Sequence, residues 1–162
     1  MPHINEGMQD VVRTHTIFSP TQADMIHKNH PNACNLCHLG KSIDWTLDQL
    51  KTWYGRTYDE QQISQNYLKR SSAVGLGWLT QNHPATRLVA ASAAAGQGAK
   101  WAIPELVSLL DDEYLMNRQF SQLALEKLLE KKLNEEFGYW YYHTKDERRD
   151  PIERIRKHLP NQ

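Results

Sequence analysis

The sequence predicts an all-α protein: a loop-rich segment followed by an α-solenoid built from helix pairs. Three observations carry that expectation. Apolar residues recur at helical spacing from Asp44 onward, whereas 1–43 shows no sustained 3.6-residue period and is broken by Gly7, Pro20, Pro31 and Gly40. Past His83 the chain is strongly helical, and Arg118 follows Arg87 by 31 residues inside similar surroundings. A self-similarity near that period is the sequence mark of stacked helical repeats. The expected divisions are an irregular segment over 1–43, helices packing on it over 44–82, and repeats with a C-terminal cap over 83–162.

The elements follow in order. Asp44 is a suitable N-cap, and Trp45, Leu47, Leu50, Trp53 and Tyr54 mark a helix that Gly55 stops. A second helix is expected over 59–70, and a third over 72–80 carrying Val74, Leu76 and Trp78 despite Gly75 and Gly77. The repeat is read at an offset of 31 residues, with Arg87 on Arg118 and, further on, Ala93 on Ala124. Between them 102–110 makes a short helix with Pro104 in its first turn, where a missing N–H costs nothing. The alanine-rich run 90–95 permits the close approach that stacked helices need. A proline and an arginine before an alanine run resemble the first helix of a HEAT-like repeat. Two such units are too few to stand alone and are expected to pack on the preceding helices. An ordinary irregular helical bundle is the alternative. The segment 134–150, with Phe137, Trp140, Tyr141, Tyr142 and His143 before the charge run 145–150, reads as a capping loop. A last helix over 151–159 places Ile152, Ile155 and Leu159 on one face.

Composition excludes several functions. The chain has 162 residues, with 19 basic and 19 acidic side chains balancing to a formal charge of zero, and no Lys/Arg run interleaves with aromatics. A nucleic-acid binder would carry a basic footprint, so no nucleic-acid partner is expected. The longest apolar-rich piece, 88–95, is far shorter than the ~18 residues of a membrane span. No export signal is visible in the first thirty residues.

The two cysteines carry the most information. They fall in the run Cys34-Asn35-Leu36-Cys37-His38, which reads as a c-type haem attachment site. Two thiols three positions apart on a helical turn match the two vinyl groups of one haem, and the adjoining imidazole is placed to ligate the iron. Other readings stand beside it. A redox-active dithiol usually sits on a thioredoxin-like βαβ unit, and no strand-rich pattern surrounds this one. A structural zinc site would have to recruit His38, His30 or His27. An attachment motif no longer used is the third. No GxSxG, HExxH, glycine-rich phosphate loop or second Cys/His cluster offers another chemistry.

The run His30-Pro31-Asn32-Ala33-Cys34-Asn35-Leu36-Cys37-His38, then Lys41-Ser42, Trp45 and Trp53-Tyr54-Gly55, resembles a family of multihaem c-type cytochromes. Its members carry a late haem site of the form PNACNxCHxxKS, a helix ending in WYG, and HEAT or TPR repeats. The likeness covers roughly 13–110. His15-Thr16-Ile17-Phe18-Ser19-Pro20 resembles the family's HSFRIP segment but lacks its arginine. Met1-Pro2-His3 resembles the end of an upstream CHMP motif, so the chain is expected to begin just after a preceding haem site. That start would also place the export signal upstream, in a protein sent to the periplasm or another extracytoplasmic space.

The resemblance implies one haem c held by Cys34 and Cys37, with His38 as proximal iron ligand and His15 opposite it, since family haems are bis-histidine. His27, His30, Met25 and Met8 remain candidates for the sixth position. A histidine there would hold the potential low and a methionine would raise it. His83, His143 and His158 read as a turn residue, a loop residue and a solvated helix end. Trp45 and Trp53, eight apart on one helical face, are placed to pack either on the haem edge or in the core. With both axial sites filled, the expected function is one-electron transfer to redox partner proteins or neighbouring haem domains, as the C-terminal part of a larger cytochrome. The alternatives are a five-coordinate haem enzyme or sensor, and a haem-free HEAT-like interaction scaffold.

Overall fold

A computed structural model describes residues 19–159 throughout, together with Asp10 and the backbone of 3–6 and 11–13. The fold is α-helical, with ten α-helices among the described residues. One feature was not expected in the first segment: β1 (His3–Glu6) pairs antiparallel with β2 (Val11–Arg13) and lies against the sixth helix. Two five-residue helices, α1 (Ala23–His27) and α2 (Ala33–Cys37), also interrupt the stretch read as irregular. They are too short to impose a period, so only their caps betray them.

Local chemistry sets the next helices. α3 (Ile43–Tyr54) begins two residues earlier than expected, because Ser42 rather than Asp44 is its N-cap: the Ser42 hydroxyl accepts from the Trp45 N–H at 3.1 Å. Gly55 ends it in the left-handed region at φ 61°, which glycine adopts without a Cβ penalty. α4 (Glu60–Asn66) is capped by Asp59 and is shorter than the expected 59–70, while α5 (Val74–Leu79) lies inside the expected 72–80. Arg70, beyond the end of α4, binds Asp44 at 2.6 Å and Glu60, tying α3 to α4.

From His83 onward long and short helices alternate: α6 (Pro84–Gln97), α7 (Ile103–Ser108), α8 (Leu115–Leu129), α9 (Leu133–Phe137) and α10 (Lys145–His158). A single 3₁₀ turn flanks α7 on each side, at Lys100–Ala102 and Leu109–Asp111. α6 packs chiefly on α8, α5 packs on α6, and α10 packs on α9 and the end of the α7 segment.

The last helix corrects two expectations. The charge run 145–150 is helical rather than a loop, and α10 begins at Lys145 with Pro151 inside it rather than at its start. Its origin is a capping box: Thr144 accepts from the Glu147 N–H, and the Glu147 carboxylate accepts from the Thr144 N–H at 2.8 Å. That cap outweighs the one backbone hydrogen bond lost at Pro151.

The long helices share a device. Arg87, Arg118 and Arg148 are each the fourth residue of α6, α8 and α10. Each turns its Nη1 back to carbonyls of the preceding connection: Arg87 to Gln81 and Asn82, Arg118 to Asp112 and Glu113, Arg148 to His143. A third copy therefore follows the two visible in the sequence.

One hydrophobic cluster runs from Ile26 and Leu39 through Ile43, Leu50, Trp78, Ala91, Leu106 and Leu125 to Ile155. The cysteine-bearing segment and the long helices thus share a core. No helix among the described residues is long and apolar enough to cross a membrane.

Candidate functional site

Cys34, Cys37 and His38 sit on α2 and its C-terminal end. Asn32 starts the helix by accepting from the Asn35 N–H at 2.9 Å, so the cysteines stand one turn apart on a capped helix. Asn35, between them, points the other way and is fully buried. Its Oδ1 accepts from Asn32 Nδ2 at 3.0 Å and from the Thr46 hydroxyl at 2.8 Å, and its Nδ2 donates to the carbonyls of His38 and Lys41. Burying a primary amide is favourable only when its donors and acceptors are matched, and here both ends are. Asn35 thereby fastens the turn to α3.

A second fastening comes from α6. The Gln97 amide donates to the Leu36 carbonyl at 2.8 Å and accepts from the Leu39 N–H at 3.2 Å, bracketing Cys37 and His38. A third comes from α5, where Val74 and Gly75 N–H groups donate to the carbonyls of Lys41 and Leu39. Gly75 is required by this approach: a Cβ there would run into Leu39 and lie 2.9 Å from Trp101.

Both thiols are free, Cys34 half-buried and Cys37 exposed. Burial raises the Cys34 thiol above the usual cysteine range, and the neighbouring Cys37 raises it further. The Tyr58 hydroxyl is raised first by burial and then by the Cys34 thiol close to it. The His38 ring is exposed but leans on Trp45, with centroids 5.0 Å apart and planes inclined by 57°. Lys41 Nζ lies 5.8 Å from the centroid of the same indole.

The remaining candidates separate. His15 and Met8 lie outside the described residues. His27 closes α1, and its Nε2 accepts from the Asp59 N–H at 3.0 Å while its ring meets Tyr58 edge-on. That nitrogen serves as the joint between α1 and α4. His30 is exposed, and Met25 is half-buried on α1. Trp45 and Trp53 do not share a role, since Trp53 is 61% exposed at the far end of α3. No group of three or more His, Cys, Asp and Glu side chains converges to hold a metal ion among the described residues, so His27, His30 and His38 do not complete a zinc site with the cysteines.

Asn35, Thr46 and Gln97 are the site residues that motif reading missed. An asparagine inside the Cys-x-x-Cys run was visible, but its partner Thr46 is 11 residues away, and Gln97, which holds the backbone of Leu36 and Leu39, lies far along the chain on α6. A separate cleft of about 490 Å³ lies between the α5–α6 connection and α7, and its lining includes Gln81, Arg87 and Glu105 but none of the motif residues.

The site thus presents two unbonded thiols one helical turn apart, followed by an exposed imidazole on a turn fastened from three elements. No protein family profile, curated protein or solved structure matches this chain.

Proposed function

We propose that the chain is a c-type cytochrome domain for electron transfer that matures outside the cytoplasm. The observation that carries this reading is Cys34-Asn35-Leu36-Cys37-His38 held as a capped turn with both thiols free. Cys34 and Cys37 would anchor haem c and His38 would ligate its iron, and the bound group would supply reversible one-electron transfer. Asn32 and Asn35 keep the thiols on one face of the turn, while Gln97 and Gly75 hold the loop against α6 and α5. The family resemblance favours His15 as the sixth ligand and then His27, which is engaged by Asp59; His30, Met25 and Met8 are the other candidates. The long helices, with their three equivalent arginines, form HEAT-like repeats that buttress this lobe and offer a surface to redox partners.

The test is expression in a periplasm equipped for cytochrome c maturation, read by intact mass and a pyridine haemochrome spectrum. The expected result is a gain of one haem, lost in Cys34→Ala/Cys37→Ala. A folded, exported chain that stays at apo mass overturns it.

A second reading, a haem-free interaction scaffold, is favoured by the arginine repeat alone. It expects a stable apo protein whose fold is indifferent to loss of both cysteines.

A further inference from the structure

The geometry points to Trp45 as a positioning residue for His38, setting the orientation of the imidazole with which the proposed cytochrome site would ligate iron. This deepens the reading above and rests on it. His38 is exposed, and an exposed imidazole turns freely about its side-chain torsions unless something blocks it. Its backbone is already fixed: its N–H donates to the Cys34 carbonyl at 2.9 Å, and its carbonyl accepts from the Lys41 N–H at 2.9 Å. Gln97 brackets it from outside. What remains is the ring, and the one ring contact it makes among the described residues is with Trp45, at 5.0 Å between centroids.

Trp45 is a dependable wall because it is itself held. Its N–H is bound by the Ser42 hydroxyl at 3.1 Å, which fixes it as the third residue of α3. One residue on, Thr46 donates to Asn35 at 2.8 Å, so α3 cannot shift against the turn that carries His38 without breaking a buried hydrogen bond. Wall and ligand therefore ride on two elements locked together by Asn35. Groups around a metal ligand that fix its ring orientation also tune the metal it binds.

The experiment has two arms on the full chain. In protein made without haem, NMR compares the ring protons of His38 with those of His30, an exposed histidine on the same chain. Expected are nuclear Overhauser contacts between His38 and the Trp45 indole and an upfield shift of His38, lost in Trp45→Leu and restored in part by Trp45→Phe. In haem-loaded protein, Trp45→Leu keeps the mass gain of one haem but shifts the reduction midpoint and the low-spin spectrum, and Trp45→Phe moves both back toward wild type. His38 resonances that coincide with those of His30 overturn the inference, as does a midpoint and spectrum unmoved in Trp45→Leu. A wild-type chain that never gains haem overturns the cytochrome reading instead, and the NMR arm then decides by itself whether Trp45 holds the ring.

Discussion

The two thiols differ in environment although they lie one turn apart. Cys37 is exposed, whereas burial and the nearby Cys37 both disfavour the Cys34 thiolate, which is the reactive form. Alkylation near pH 8, followed by mass spectrometry, should label Cys37 first, so that Cys37→Ser leaves a slow thiol and Cys34→Ser a fast one. The reverse order would show that α2 is turned the other way. Two buried tyrosines make a separate prediction. The Tyr139 hydroxyl donates to the Leu110 carbonyl at 2.6 Å and the Tyr67 hydroxyl to the Ile26 carbonyl at 2.8 Å, and burial raises both well above the ordinary value. A raised folded-state value means stability is complete below about pH 10, the unfolded tyrosine value, and is lost as pH rises past it. Tyr139→Phe should lower stability near neutrality by about 1–2 kcal/mol, since the Leu110 carbonyl loses its partner, and should flatten the alkaline fall in the denaturant midpoint.

At the scale of the element, the arginine at the fourth position of each long helix decides how the helix meets its connection. Arg87 is the most enclosed pair: its Nε and Nη2 hold the Asp112 carboxylate at 2.8 and 3.1 Å while Nη1 reaches two carbonyls. A lysine has one ammonium and cannot span both sides at once. Arg87→Lys is therefore expected to cost about 2–3 kcal/mol in urea unfolding, because the Asp112 side chain, 6% exposed, is left with fewer donors. A loss near zero would mean that α6 is held by helix packing alone. Two copies of this arginine were legible in the sequence. The third, Arg148, was hidden because Pro151 was read as a helix start, although the Thr144 and Glu147 capping pair was there to be seen.

For the molecule as a whole, the close seating of the cysteine-bearing loop on α5 is one of the contacts that tie it to the later helices. Gly75 leaves no room for a methyl group between its backbone, Leu39 and Trp101. Gly75→Ala should destabilise the chain by about 1–3 kcal/mol and speed labelling of Cys34, as the loop lifts from α5. The double variant with Leu39→Ala should lose less than the sum of the two single losses, because the obstructing side chain is shortened. If Gly75→Ala leaves both stability and labelling unchanged, the loop is not seated there.

By itself the sequence determined what depends on neighbours along the chain: the helical class, the Cys34-x-x-Cys37-His38 spacing, the glycine end of α3, and two of the three equivalent arginines. These follow from periodicity, caps and covalent spacing, which act over a few residues. Tertiary structure alone decided that Asn35 joins α2 to α3, that Gln97 reaches from α6 to bracket His38, that Trp45 and not Trp53 meets the imidazole, and that His27 is occupied by Asp59. Each of these is a contact between separate elements, the Asn35 pair satisfying a buried amide and the others joining more exposed groups, and such partners meet only once the chain has folded.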